Sequence, residues 1–331
     1  MTEASMRPVS DLGDDDVVLP FVIEPLESRG RVVRLGASVD AILARHGYPE
    51  AVARLVGEAA ALTVLLGSAL KFEGRFQVQT RTNGIVDMIV VDFDAPDRLR
   101  AFARFDAEAL ALAQAEGRAT PLQVLGTGHL ALTIDQGNDM SRYQGVVPLE
   151  GQGLEDAAHQ YFRQSEQIPT LVRLAVAQSV TGEGVHWRAG GLIVQFLPHS
   201  TDRLRQADLH PGDAPEGGDY HEPSEDDAWS EAKALAATVE DHELVDPTLS
   251  SERLLYRLFH ERGVKVFGGQ PIREACRCST DRITEMLRRF KPRERADMVG
   301  DNGRIGVTCE FCSTHRDFEP SDFEASDLDP A

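Results

Sequence analysis

The chain has no cysteine in its first 275 residues. A framework of disulfides through the body of the protein is thereby excluded, and 331 residues are enough for a core that stands without one. Positive charge is scarce too. Thirty-four lysines and arginines face 54 aspartates and glutamates, a net charge of −20. Phosphate binding needs a basic surface, so nucleic acid is excluded as the main partner. Long apolar runs are missing: the longest, Ala59 to Leu70, is about 12 residues and follows Arg54 and Glu58. That is too short to span a bilayer and reads as a buried core helix, with no membrane partner. Asp14, Asp15 and Asp16 stand ahead of Val17-Val18-Leu19, the wrong charge order for a secretory leader. With no Asn-x-Ser/Thr sequon either, the chain is expected in the cytoplasm. There is no P-loop, no internal repeat and no regular βαβ rhythm.

What is present is a mixture of strands and helices, predicting an α+β fold: a mixed strand/helix core domain, a helical linker and a small C-terminal module. Residues 1–20 read as a disordered acidic tail and 21–199 as the core domain. In that domain, Phe21-Val22-Ile23 and Val32 to Leu35 flank an expected turn at Arg29-Gly30. A short helix from Ser38 to Gly47 is followed by one that Pro49 opens, where its missing N–H costs nothing. Phe76 to Thr80 alternates, Asn83-Gly84 signals a hairpin, and Val86 to Phe93 returns. Further strands are expected at Leu130–Ile134, Tyr143–Val147, Leu171–Val176 and Leu192–Phe196, with a helix from Leu154 to about Glu166.

Residues 200–262 form an acidic loop and a helical linker. From Ser200 to Asp227 nine acidic residues accompany two arginines, punctuated by Pro211, Pro215, Gly217 and Gly218. Ser224 and Asp227 then predict a capping box for a helix of about 15 residues. Its apolar face, Trp229, Ala232, Ala236 and Val239, is mostly alanine, so it is expected to dock weakly and open easily. A better stripe, Leu254, Leu255, Leu258 and Phe259, follows Ser250 and stops at Gly263.

The four cysteines all lie in 263–320, as Cys276-Arg277-Cys278, thirty residues, then Cys309-Glu310-Phe311-Cys312. Two tight pairs read as one four-thiolate metal site, closed to substrate and therefore structural zinc or zinc within a thiol switch. Ile283, Met286, Leu287 and Phe290 recur at helical spacing between the pairs, with Ser279 as N-cap. A module with so small a core needs its metal to fold. Arg273, Arg277, Arg282 and Arg316 lie close in sequence and offset the site's negative charge. Arg288, Arg289, Lys291, Arg293 and Arg295 read as a solvated helix end, His315 as an exposed, incidental histidine, and 321–331 as an acidic tail. Gly126-Thr127-Gly128-His129-Leu130-Ala131 fits a dinucleotide fingerprint by letter, but strand-like alternation follows where a helix N-terminus is needed.

At this point the chain resembles the 33 kDa chaperonins, the redox-regulated heat-shock chaperones. The resemblance rests on the cysteine arrangement, on Arg142-Tyr143-Gln144-Gly145-Val146-Val147, on Tyr161-Phe162 with Ser165-Glu166-Gln167 and Pro169-Thr170, on Ala189-Gly190-Gly191, and on Leu70-Lys71-Phe72. It covers roughly residues 21 to 320. It implies an ATP-independent holdase, not an enzyme, that is inactive when Cys276, Cys278, Cys309 and Cys312 hold one zinc ion. Oxidation with mild unfolding stress would form the disulfides Cys276–Cys278 and Cys309–Cys312, release zinc, unfold the linker and expose apolar surface to unfolding client proteins. The resemblance further implies a homodimer in the oxidised state and Cys309–Cys312 as the pair oxidised first. The acidic stretch near 200–225 is longer than such a linker requires. Two other classes share the zinc site: a constitutive adaptor binding a protein or RNA partner, active when reduced, and a zinc or thiol enzyme, which the closed four-sulfur site disfavours.

Overall fold

Residues Glu50–Gly67 form one helix in which every side chain is buried except Glu50, which is exposed, and Arg54 and Glu58, which are half-buried. Those three recur at i, i+4 and make a single polar stripe on an otherwise apolar cylinder. Such a helix belongs inside a protein, and this one packs against two sheets at once. The structure, a computed structural model, describes residues 15–70, 74–136, 142–182, 184–198 and 226–326, with no side chains at 324–326. The tail before Asp15, Lys71-Phe72, the acidic stretch with Ser224, and residues 327–331 lie outside the described residues.

In chain order the first unit, residues 1–274, holds β1 (Val17–Ile23), β2 (Ser28–Leu35), α1 (Ala37–His46), α2 (Glu50–Gly67), β3 (Arg75–Thr82), β4 (Val86–Asp94), β5 (Arg98–Phe105), α3 (Ala107–Ala115), α4 (Pro121–Leu125), β6 (Thr127–Asp135), β7 (Tyr143–Glu150), α5 (Leu154–Tyr161), β8 (Thr170–Thr181), β9 (Gly184–Phe196), α6 (Asp227–Ala237), α7 (Asp241–Val245), α8 (Ser251–Phe259), β10 (Lys265–Val266), β11 (Gln270–Pro271) and β12 (Arg273–Glu274). One sheet runs β10-β1-β2-β9-β8, with β11 also on β1; the other runs β12-β5-β4-β3-β6-β7. Among the described residues only the β12–β5 pairing is parallel. The architecture is α+β, and no helix among the described residues is long and apolar enough to cross a membrane.

The sheet containing β9 is covered on both faces. One face meets α2. On the other, Leu19, Phe21, Ile23, Val32, Leu192, Val194 and Phe196 pack with Trp229, Ala232, Ala236, Val239, Leu254, Leu255, Leu258 and Phe259. This explains why Trp187 to Phe196 is an unbroken buried run, as expected of a strand buried on both sides. The helices after the acidic stretch are thus packed into the first unit. The expected 15-residue helix is two shorter ones, α6 and α7. Asp226 caps α6, accepting from Ala228 N at 2.9 Å. Ser250 caps α8 as the sequence indicates.

Several local expectations change. The first hairpin turns at Glu24–Glu27, where Glu27 takes φ +43°, and Gly30 lies inside β2. The glycine is required there because the Phe21 ring fills the space of a side chain: a Cβ would come within 2.3 Å of it. Asp15 and Asp16, assigned to the acidic tail, are tied down. The Asp16 carboxylate accepts from Gly36 N at 3.0 Å, and Asp15 pairs with Arg188. β5 and α3 carry no strong sequence signal and were not anticipated. The compact second unit starts at Ala275, because residues 265–274 pair with β1 and β5. Gly126 ends α4 at φ +70° and leads into β6, so the glycines of the fingerprint-like run belong to a turn and a strand.

Candidate metal centre

The second unit, residues 275–331, contains α9 (Thr280–Arg288), α10 (Pro292–Asp297), β13 (Ile305–Thr308) and β14 (His315–Phe318). Its buried apolar cluster is Ile283, Leu287, Ile305, Phe318 and Phe323. Met286 and Phe290, expected on the same stripe, are 44% and 37% exposed. A core of this size is well below what a unit normally needs to fold without a staple.

Cys276 and Cys278 sit in the extended chain between β12 and α9, where an i, i+2 spacing points both side chains to one side. The chain then turns into α9, capped by the Ser279 hydroxyl accepting from Arg282 N at 3.2 Å. The other pair comes from the β13–β14 hairpin. Ser313 N donates to Cys309 O at 2.8 Å, Cys309 N donates to Thr314 O at 3.1 Å, and Ser313 takes φ +52°. This tight knuckle folds Cys309 and Cys312 back toward the first pair.

The four sulfurs all lie within 4.8 Å of one another, with Cys276–Cys309 at 3.7 Å and Cys278–Cys312 at 3.2 Å. Zinc–sulfur bonds of about 2.3 Å in a tetrahedron place sulfurs about 3.8 Å apart, so the donor set and its size fit a Zn²⁺ ion. No other group of three or more metal-binding side chains is found among the described residues. His315 stands apart: its ring contacts Thr308 Oγ1 at 2.8 Å and Asp317 Oδ1 at 3.3 Å.

The thiols are unequal. Burial, then the sulfurs of Cys312 and Cys276, push Cys278 up to about 12, and burial also raises Cys309. At Cys312 burial acts upward, but hydrogen bonds with Thr314 and contacts with Cys278 and Cys276 outweigh it and hold the thiol down to about 6. Arg316 places Nη1 3.5 Å from Cys278 Sγ, and Thr314 Oγ1 lies 3.2 Å from Cys312 Sγ. Of the other arginines singled out, Arg273 pairs with Asp97 in the first unit and Arg282 donates to Arg277 O at 3.3 Å. Thr314 was not anticipated, and its only signal is its place two residues after Cys312. Arg295, read as part of a solvated cluster, is 6% exposed; it donates to Phe290 O at 2.7 Å and lies over the Phe323 ring.

Comparison with known proteins bears on this geometry. The family model for Hsp33 protein matches residues 16–319. The 33 kDa chaperonin of Caulobacter vibrioides (strain NA1000 / CB15N) is 48% identical over 308 residues, 92% of this chain and 95% of the relative. That of Shewanella loihica is 32% identical over 94% of this chain and 95% of its own length. Among solved structures, the 33 kDa chaperonin of Thermotoga maritima superposes with a TM-score of 0.71 at 19% identity, covering 94% of this chain and 97% of that one. That last likeness concerns the fold.

Proposed function

The chain belongs to the Hsp33 family of chaperones, and from that premise we propose that it is a redox-switched, ATP-independent holdase of the cytoplasm. It would be inactive while Cys276, Cys278, Cys309 and Cys312 hold one Zn²⁺, and active once they are oxidised. The observation that carries the reading is the closed cluster of four sulfurs in a unit whose own core is only five buried apolar side chains. Bound zinc would supply the cross-link that holds this unit together and keep its sulfurs as thiolates, the form oxidants attack.

Oxidation balances with peroxide as the co-reactant. Each cysteine pair gives two electrons to one hydrogen peroxide molecule, one S–S bond forms, and the two oxygens leave as water with protons from thiols or solvent. The proposed bonds are Cys276–Cys278 and Cys309–Cys312. With its sulfurs paired, the small unit loses its staple. The second half of the proposal is that α6–α8 then leave the first unit and uncover Leu19, Phe21, Val32, Leu192, Val194 and Phe196 for unfolding client proteins, the active form being a homodimer. No enzymatic activity, nucleic-acid partner or membrane partner is part of the reading.

The deciding experiment follows light scattering from a heat-unfolding client. The chain is added either reduced and zinc-loaded or after peroxide at mildly elevated temperature. Suppression of aggregation only after oxidation supports the switch. Equal suppression in both states would reduce zinc to a structural role. No suppression in either would end the chaperone reading for this chain and favour a constitutive adaptor.

A further inference from the structure

The sheet face beneath α7 is not wholly apolar. Arg34 on β2, Arg173 on β8 and Arg188 on β9 each interrupt an apolar strand, and all three reach the chain between Val239 and Asp246. Arg34 is 1% exposed; its guanidinium donates to the carbonyls of Glu243, at 3.4 Å, and Asp246. Arg188 donates Nε–H to Val245 O at 2.7 Å while its Nη1 meets the Asp15 carboxylate at 2.6 Å. Arg173 donates to Val239 O at 3.2 Å and to Asp241 Oδ1 at 2.7 Å. Between the three, Leu244 and Val245 are buried, and the Leu244 carbonyl lies against Gly190, where a Cβ would come within 2.1 Å.

Each part of this contact has its own physics. Cations at the carbonyl end of a helical turn meet the negative end of its dipole. Guanidinium forks bind carbonyls and carboxylates with directed N–H groups. Backbone pressed on Gly190 fixes how closely a segment can approach. If the segment leaves, the guanidinium N–H groups of Arg34, Arg173 and Arg188 that meet its carbonyls and the Asp241 carboxylate lose those acceptors, while Arg188 keeps Asp15 and Arg173 keeps Glu155 at 3.6 Å; beside them lies an apolar floor of Val32, Leu192 and Val194. Vacated guanidinium N–H groups favour carboxylates over cations.

We propose that Arg34, Arg173 and Arg188, with the apolar floor between them, form a peptide-docking site for short acidic segments carrying apolar side chains and a turn of free carbonyls, occupied in this structure by the chain's own Glu240–Asp246. The site defines the chemistry of the client segments the uncovered face prefers. This second statement rests on the holdase reading above; the docking site itself does not.

The test uses the full-length, reduced, zinc-loaded chain with Leu244→Ala and Val245→Ala, which weaken the resident segment without touching the arginines. The probe is a fluorescein-labelled peptide of residues 238–247, compared by anisotropy with a peptide in which Glu240, Asp241 and Glu243 are lysine. The acidic peptide is expected to bind at least about tenfold more tightly than the lysine peptide. Arg173→Gln, at a partly exposed position, should weaken the acidic peptide about tenfold, with partial recovery in Arg173→Lys. Absence of binding, equal affinity for the two peptides, or indifference to Arg173→Gln would overturn the site. If the peptide binds as expected while the oxidised wild-type chain fails to protect any client, the docking site stands and the holdase reading falls.

Discussion

Trp229→Ala is the substitution that most directly tests whether α6 is held by one anchor. The indole is 4% exposed, and its ring centroid lies 6.2 Å from that of Phe196 on β9. The rest of the buried face is Ala232, Ala236 and Val239, with Leu235 partly buried beside them. Emptying a packed tryptophan site costs about 3–5 kcal/mol. Each alanine contributes a single methyl, about 0.8 kcal/mol of burial. The loss is therefore concentrated in one helix that has little else to hold it. It should appear as local opening, with the opening constant of 227–239 rising roughly two to four powers of ten. Hydrogen exchange followed by mass spectrometry on the reduced, zinc-loaded chain measures this directly. Amides of 227–239 should lose protection while those of β8 and β9 keep theirs. The same variant should suppress client aggregation without peroxide. Wild-type protection across 227–239, or loss only in step with β8 and β9, would refute the single-anchor argument.

Three further outcomes follow from the site and the core. Chelation of zinc should strip exchange protection from 275–320 while β3–β6 stay protected; intact protection of 275–320 after verified metal loss would show that the five-residue core suffices. After brief peroxide exposure, mass spectrometry should find Cys309–Cys312 before Cys276–Cys278, and the reverse order would remove the C-terminal pair as sensor. Glu58 on α2 has its carboxyl raised from 4.5 to about 7, by burial first and then by Glu155. The folded chain therefore holds that proton after the unfolded chain has lost it, and stability falls as pH rises from about 4.5 to about 7. Glu58→Gln should stabilise the chain at pH 8 by up to about 3 kcal/mol and leave it unchanged at pH 4; a pH-independent difference in denaturant midpoint would exclude the effect.

The four-cysteine cluster was legible because chemistry forces it. Two thiol pairs at thirty-residue separation have few uses, and the structure brings the same four sulfurs together. α2 was legible as a buried helix for a similar reason, since its polar residues fall on one stripe. β5 was not: Arg98, Arg100 and Arg104 break its apolar pattern, and the partners of Arg100 and Arg104, Asp92 and Asp87, lie on another strand. Gly30 looked like a turn because its reason, the Phe21 ring, comes from the neighbouring strand. The arginines under α7 stayed silent likewise. A lone arginine in an apolar strand signals a partner, but the carbonyls it binds are distant in sequence.

Under the proposed switch, a change at the cysteines would have to reach α6–α8, and residues 264–274 are the strip that leads from α8 to Cys276. Its ladders are two residues long each: Lys265–Val266 and Gln270–Pro271 on β1, Arg273–Glu274 on β5. Single backbone bonds add to them, Phe267 N to Pro20 O at 3.0 Å and Ile272 N to Asp16 O at 2.7 Å. Ile272, 4% exposed, is the one large apolar anchor of the strip. Ladders so short are marginal alone, so Ile272→Ala, at about 2–5 kcal/mol, should free the strip without a direct change at α6 or the sulfurs. If the strip transmits the signal, the variant should need a lower peroxide dose than wild type before α6–α8 lose exchange protection. In the reduced state α6–α8 should remain protected, because their own contacts, Trp229 to Phe259, are untouched. An unchanged peroxide dose response would show that α6–α8 respond to oxidation by a route that does not run along the strip.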